Sequence, residues 1–241
     1  MLNNWLKKVL NVVYPHQCAL CGASGFQDRD LCQDCYEELP FNHNACSICA
    51  IPLASIEKNQ DLICGQCQQQ SRYFNACQSL LIYQSPIDKL IHQLKFQHRL
   101  HLANLLGDLM AESLETRLSH AKHLPDCIIP VPLHASRLRE RGYNQALELA
   151  KPIAKRFNLP LLTYSCVRNK ATMPQSDLPA EERLNNVKDG FTVQRNFSAK
   201  HVAIVDDVMT TGSTLDEFAK TLKASGVETV DAWICARAQR H

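Results

Sequence analysis

Glycine is scarce in this chain, with eight among 241 residues, so each glycine inside a motif carries weight. Charge of one sign is lacking too. The formal net charge is only +2, which gives no global signal for nucleic-acid binding. No apolar run approaches the ~18 residues of a transmembrane helix. The opening residues MLNNWLKKVLNVVYP do not form a secretory signal, because Asn3, Asn4, Lys7, Lys8 and Asn11 interrupt the apolar positions and no small-residue cleavage site follows. These absences predict a cytoplasmic globular protein, and 45% hydrophobic residues are enough to build a core.

Cysteine is the exception. Of twelve, eight fall in four C-x-x-C pairs: Cys18/Cys21, Cys32/Cys35, Cys46/Cys49 and Cys64/Cys67. A secreted disulfide protein rarely pairs its cysteines at this spacing, whereas zinc in a reducing compartment demands it. Two C-x-x-C knuckles supply four thiolates to one tetrahedral ion, so eight imply two Zn²⁺ sites. Sequential pairing is the simplest, and an interleaved one is open. Four tandem copies suit a scaffold better than thiol exchange. Little apolar content lies between the cysteines, so metal supplies much of the folding energy. The first 75 residues carry five basic and seven acidic side chains, and each Zn²⁺ with four thiolates adds formal negative charge. That suits packing or partner docking better than phosphate binding.

The stretch around which the rest is organised is His201–Thr214, HVAIVDDVMTTGST. An apolar run ends in two carboxylates, passes through a hydroxyl-rich turn with one glycine, and enters a helical pattern from Leu215 to Ala224. This is strand, loop, helix. Loop amides at a helix N-terminus bind phosphate, and Thr210, Thr211, Ser213 and Thr214 add hydroxyl donors. Carboxylates accept hydrogen bonds from vicinal hydroxyls, so Asp206 and Asp207 point to a phosphorylated sugar. The lysine of a Walker loop is missing after the glycine. The stretch resembles the phosphoribosyl-pyrophosphate (PRPP) motif of type I phosphoribosyltransferases. That resemblance implies that Asp206 and Asp207 face the ribose hydroxyls, that Thr210, Thr211, Gly212, Ser213 and Thr214 wrap the 5′-phosphate, and that Mg²⁺ accompanies PRPP.

Upstream, Gln78–Tyr83 reads as a strand, Pro86–Gln97 and Leu102–Leu118 as amphipathic helices, and Asp126–Val131 as a buried parallel strand. A loop with Arg137, Arg139 and Arg141 follows, and planar guanidinium groups suit pyrophosphate oxygens. Tyr143–Phe157 reads as a helix and Leu161–Val167 as a short strand. Residues 168–180 form a polar loop able to close over a ligand, with Arg168 and Gln175 as lid contacts. The last strand is Thr229–Ala236. Lys95 and Arg99 lie in a basic stretch suited to an anionic ligand or single-stranded nucleic acid. Residues 2–13 put Leu2, Trp5, Leu6, Val9, Leu10 and Val13 on one helical face, which docks on the protein, with membrane-surface contact as the lesser alternative.

The run PVPLHASRLRERGYNQALELA resembles the signature of the ComF/GntX family, phosphoribosyltransferase-like proteins linked to natural DNA uptake. Arg168, Thr172, Gln175, Leu178, Arg183 and Asn186 match that family's R-x3-T-x2-Q-x2-L-x4-R-x2-N pattern, and the four C-x-x-C pairs match its double zinc ribbon. The expected organisation is an amphipathic helix over 1–15, a double zinc ribbon over 16–72, and a phosphoribosyltransferase-like α/β domain over 73–241 with a parallel sheet between helices. The expected function is a PRPP-binding protein of natural transformation that handles incoming single-stranded DNA. Two rivals stand beside it: an active phosphoribosyltransferase, for which no acceptor-base pocket or catalytic residue is assignable, and a PRPP-regulated factor whose ribbons dock a DNA-uptake helicase or channel.

Overall fold

A computed structural model describes residues 15–54, 62–119, 123–169, 190–195 and 197–239. The helix expected over 2–13 and most of the 168–180 loop, Gln175 included, lie outside them.

Four parallel strands form the main sheet: β1 (Ala76–Ile82), β2 (Cys127–Pro130), β5 (His201–Met209) and β6 (Thr229–Arg237), in the order β1-β6-β5-β2. A strand buried on both faces reads as a continuous apolar run, and Val202, Ala203, Ile204 and Val205 of β5 are fully buried. Alternation divides them. Ala203 and Val205 join one core with Trp233 and Cys235 of β6, while Val202 and Ile204 join a second with Ala232 and Ile234. Helices α3 (Ile87–Phe96), α4 (Leu100–Leu118) and α6 (Gln145–Phe157) cover the first face, and α7 (Ser213–Ala224) covers the second. In α3 the four positions of the expected apolar stripe, Ile87, Leu90, Ile91 and Leu94, are all buried. Gly107 of α4 lets α6 approach closely, because a Cβ there would sit 2.8 Å from the Leu149 carbonyl oxygen and 2.9 Å from Pro152 Cγ.

The cysteine segment, with its short helices α1 (Gln33–Glu37) and α2 (Gly65–Gln69), packs against this domain instead of hanging from it. Residues 40–42 run antiparallel beside the outer edge of β1. Asn42 N donates to Leu80 O at 2.9 Å, Ile82 N donates to Pro40 O at 2.8 Å, and Phe41 bridges Leu81. The ribbon thereby covers an edge strand whose amides would otherwise be open to pairing. Arg117 of α4 clamps the same segment, donating to Asn42 O and Gln78 Oε1 at 2.9 Å each.

Two expectations change. The arginine segment is a helix, α5 (Ala135–Arg141), started by His134, whose ring nitrogen accepts from Ser136 N at 3.2 Å, and ended by Gly142 at φ +74°. Its A-S-R-L-R-E-R sequence is rich in helix formers, and Gly142 supplies the left-handed stop. The strand expected over 161–167 is a bridge from Leu161 to Ile128 followed by β3 (Cys166–Arg168), which pairs antiparallel with β4 (Phe191–Val193). Among the described residues no helix is long and apolar enough to cross a membrane.

Leu81 lies in the first core directly beneath the ribbon segment, fully buried. Leu81→Ala is expected to cost about 2–5 kcal/mol, read as a lower urea midpoint with an unchanged slope. A cost below about 1 kcal/mol would mean that the ribbon edge is not part of the cooperative unit.

Candidate phosphate and sugar cleft with two cysteine tetrads

The cleft begins where β2 stops. Val131 N still donates to Val205 O at 2.9 Å, but Pro132 has no N–H to continue the ladder. Among the described residues, β5 runs on to Met209 against β6 alone. Residues 206–209 therefore have one open edge at the carboxyl end of the sheet, where ligands of open α/β folds bind. A cleft of about 360 Å³ lies there, and Asp206, Asp207, Thr210, Thr214, Arg137 and Arg141 are among its walls.

Each wall has a local cause. Asp206 and Asp207 end the apolar run of β5, and Asp207 N donates to Asp206 Oδ1 at 2.9 Å. After Met209 the chain turns through Gly212, at φ +84°, into α7. That positive φ favours glycine, and an added Cβ would also push aside the Met209 methyl. Thr211 and Ser213 bond each other, Oγ to Oγ at 2.8 Å, while Thr210 and Thr214 line the cleft. Helical periodicity splits the three arginines. Arg137 and Arg141, four residues apart, share the cleft face, and Arg139 points to solvent. Arg168 reaches the cleft through a bridge between His134 and β3, and its guanidinium lies 5.4 Å from the Phe191 ring centre. Lys95, at the end of α3, forms an ion pair with Asp207 Oδ2 at 2.9 Å. Arg99 is exposed and bonds Gln93 at 3.2 Å.

Four cations and two carboxylates thus share one cleft. Burial first, and then the charge of Asp207, push the Asp206 carboxyl up to about 7, against the pull of its amide contact, Lys95 and Arg168. Burial and the like charge of Arg141 press Arg137 below its usual range, and burial and Arg137 do the same to Arg168. Crowded cations at one end of a cleft favour a polyanion.

The sequence reading did not assign Tyr83, Asn144 or Gln145, all of which also line the cleft. Asn144 had a detectable signal as a helix-capping residue. Its side chain accepts from Ala146 N and donates to Val131 O, both at 3.0 Å, tying α6 to the end of β2.

The eight paired cysteines gather sequentially, Cys18, Cys21, Cys32 and Cys35 in one tetrad and Cys46, Cys49, Cys64 and Cys67 in the other. Cys21 and Cys32 sulfurs are 3.6 Å apart, as are those of Cys49 and Cys64. Tetrahedral zinc with bonds of about 2.3 Å sets sulfurs about 3.8 Å apart. Amides also point at sulfur, from Cys35 to Cys32 at 3.5 Å and from Cys64 to Cys46 at 3.3 Å. Both tetrads therefore fit Zn²⁺, and closed four-cysteine sites of this kind are structural.

These features define a class, a double zinc ribbon joined to a phosphoribosyltransferase domain. Residues 9–72 match the double zinc ribbon domain and residues 144–240 the phosphoribosyl transferase domain. The chain belongs to the ComF/GntX family of competence proteins. It is 34% identical to the DNA utilization protein YhgH of Escherichia coli O6:H1 over 91% of its length and 89% of that protein's. It is also 34% identical to Competence protein F of Haemophilus influenzae, over 92% and 97%. Identity to Competence protein ComFC of Bacillus subtilis is 23%, over 83% and 80%. Among solved structures, the glutamine PRPP amidotransferase of B. subtilis aligns with 54% of this chain and 25% of its own, at 17% identity and a TM-score of 0.35, too slight a likeness to carry an argument.

The raised Asp206 pKa has a definite sign. The folded protein holds that proton up to about pH 7, while the unfolded chain releases it near 3.8. Folding stability from this group therefore falls as pH climbs between those values. Asp206→Asn lacks the slope, so thermal melts should show the variant gaining on the wild type from pH 5 to pH 8. Parallel profiles would mean that Asp206 is ionised throughout.

Proposed function

We propose that this protein binds PRPP with Mg²⁺ in the cleft at the end of β5 and acts in the cytoplasm on single-stranded DNA during DNA uptake or utilisation. One observation carries the PRPP reading. Two adjacent carboxylates share a single cleft with a hydroxyl-rich helix N-terminus and with a separate group of arginines. A sugar with phosphate on both sides uses all three: the loop of Thr210–Thr214 for the 5′-phosphate, Asp206 and Asp207 for the ribose hydroxyls, and Arg137 and Arg141 for the pyrophosphate. Arg168 lines the same cleft, and the lid role of Gln175, which lies outside the described residues, rests on the sequence pattern alone. Lys95 neutralises Asp207 until sugar hydroxyls and the magnesium ion of the ligand take over that role.

The DNA half is supported by the names of the relatives and by the rim. Phe96 is 55% exposed at the cleft mouth with its ring 5.3 Å from the Arg141 guanidinium, three residues before the exposed Arg99 in the chain. An exposed aromatic among cations suits an unpaired base and its phosphate. A second reading, that the first ribbon docks a DNA-uptake helicase or channel component, draws on Phe26 and Tyr36, both exposed on it.

A thermal-shift series with PRPP, ribose 5-phosphate and nucleotides, each with and without Mg²⁺, tests the ligand. PRPP with Mg²⁺ should stabilise the wild type by several degrees, and Asp206→Asn with Asp207→Asn should abolish that gain while leaving the fold cooperative. A double variant that still responds to PRPP would overturn the ribose assignment. For DNA, binding to a labelled single strand across a salt series should weaken with salt, and Arg99→Ala should reduce the log–log slope by about 0.7, the value of one lost phosphate contact. Salt-independent binding, or none at low salt, would remove direct DNA contact.

A further inference from the structure

The carbonyls of the phosphate loop do not point to solvent. Two guanidinium groups hold them, and both groups also touch the second ribbon. Arg237, the last residue of β6 and 1% exposed, donates from Nη1 to Met209 O at 3.0 Å and to Thr210 O, and from Nε to Cys49 O at 2.9 Å. Arg72 donates from Nη2 to Thr211 O at 3.3 Å, and the same nitrogen lies 3.5 Å from Gln66 Oε1. Cys49 is a ligand-type sulfur of the second tetrad, and Gln66 precedes another, Cys67. A trans peptide directs its C=O and the next N–H to opposite sides. Capturing the oxygens of Thr210 and Thr211 on the ribbon side therefore turns the amides of Thr211 and Gly212 the other way.

Two more contacts, from the chain that follows the second ribbon, support the loop. Met209, which fills the space under Gly212, lies with its sulfur 3.8 Å from Cys77 Sγ, in the core that also holds Cys46, Cys49 and Cys67. Tyr73 N donates to Asp216 Oδ1 at 2.6 Å, in the first turn of α7. The first tetrad is built into the opposite core. Cys18 packs there with Leu31 and Leu39, and Arg29 pairs with Glu112 of α4.

We propose that the two tetrads have different roles, and that the second one, loaded with Zn²⁺, shapes the phosphate loop through Arg237 and Arg72, so that metal in that site and anion binding at Thr210–Thr214 are coupled. Arg237 and Arg72 are positioning residues. Linkage makes the effect mutual: metal in the second site tightens anion binding, and a bound anion slows loss of that metal by the same thermodynamic factor. The first tetrad is outside this coupling.

The zinc-loaded full-length protein is compared with Arg72→Ala, Arg237→Lys, Cys64→Ser in the second tetrad and Cys21→Ser in the first. Two quantities are read: amide hydrogen exchange in peptides spanning residues 209–214, and affinity for PRPP with Mg²⁺. Loss of one charge-assisted hydrogen bond corresponds to about tenfold. Arg72→Ala and Cys64→Ser should each speed loop exchange and weaken PRPP by about that factor, and Cys21→Ser should change neither. Equal effects from the two serine variants, or unchanged loop exchange in Arg72→Ala, would overturn the coupling. If Cys64→Ser or Arg237→Lys fails to fold, Arg72→Ala decides, since Arg72 is half-buried and lies outside both the tetrads and the apolar cores. The affinity arm rests on the PRPP reading. The exchange arm does not, so a wild type that ignores PRPP but shows the exchange pattern would overturn that reading and leave the coupling standing.

Discussion

The site depends on one mismatch of length: β5 continues past the end of β2. Side by side, two parallel strands satisfy each other's amides and leave no room for a ligand. Once Pro132 withdraws β2 from the ladder, β5 keeps β6 on one side only. The carboxylates of Asp206 and Asp207 occupy that overhang. The phosphate-type loop must follow at once, because β5 feeds directly into α7 through Gly212. The arginines arrive from the other strand, since the chain leaving β2 turns into α5. Two kinds of anion site at one sheet end thus follow from where a single proline stops a strand.

The ribbons are walls of this domain. Each tetrad contributes to a different face of the sheet, and residues 40–42 cap the edge of β1. Cutting the chain after residue 72 would strip both faces and open an edge strand, so ribbon deletion cannot separate a docking role from a folding role. The arrangement also carries an electrostatic problem. A zinc ion with four thiolates has a formal charge of −2, and the second tetrad neighbours the loop proposed to hold an anion. Arg72 and Arg237 sit between them. Their charges face the loop carbonyls and the ribbon together, which shields the loop from the thiolates.

Much of the cleft was legible in the sequence because its signals are local. The apolar run before Asp206 and Asp207, the Gly212 turn and the C-x-x-C spacings each fix their own neighbourhood, and the helical stripe of α3 follows from periodicity alone. What sequence reading missed depends on geometry between elements. Arg137, Arg139 and Arg141 looked equivalent in a loop, but a helix gives two of them to the cleft and one to water. Lys95 reads as a contact for an anionic ligand or a single nucleic-acid strand, and only the fold brings the end of α3 to the end of β5, where it pairs with Asp207. Arg237 is one residue past an expected strand end, and nothing local distinguishes it from a solvated terminus. Its burial appears only when β6, the Cys49 knuckle and the phosphate loop meet.

The electrostatics of the cleft support the proposed ligand, with charge at both ends and hydroxyls between. Two neighbouring carboxylates cannot both ionise cheaply under burial, and Asp206 shows this by holding its proton to about 7. Lys95 stabilises one of them by direct contact. The remaining cations repel one another: Arg141 bears on Arg137, and Arg137 on Arg168. Such an arrangement crowds like charges within both sets. A polyanion relieves the arginines, and a divalent cation or a pair of hydroxyls relieves the carboxylates. A simple phosphate relieves only the first group and a free sugar only the second. The proposed phosphorylated sugar carried with its metal answers both sets of charges, which are divided between the ends of β2 and β5.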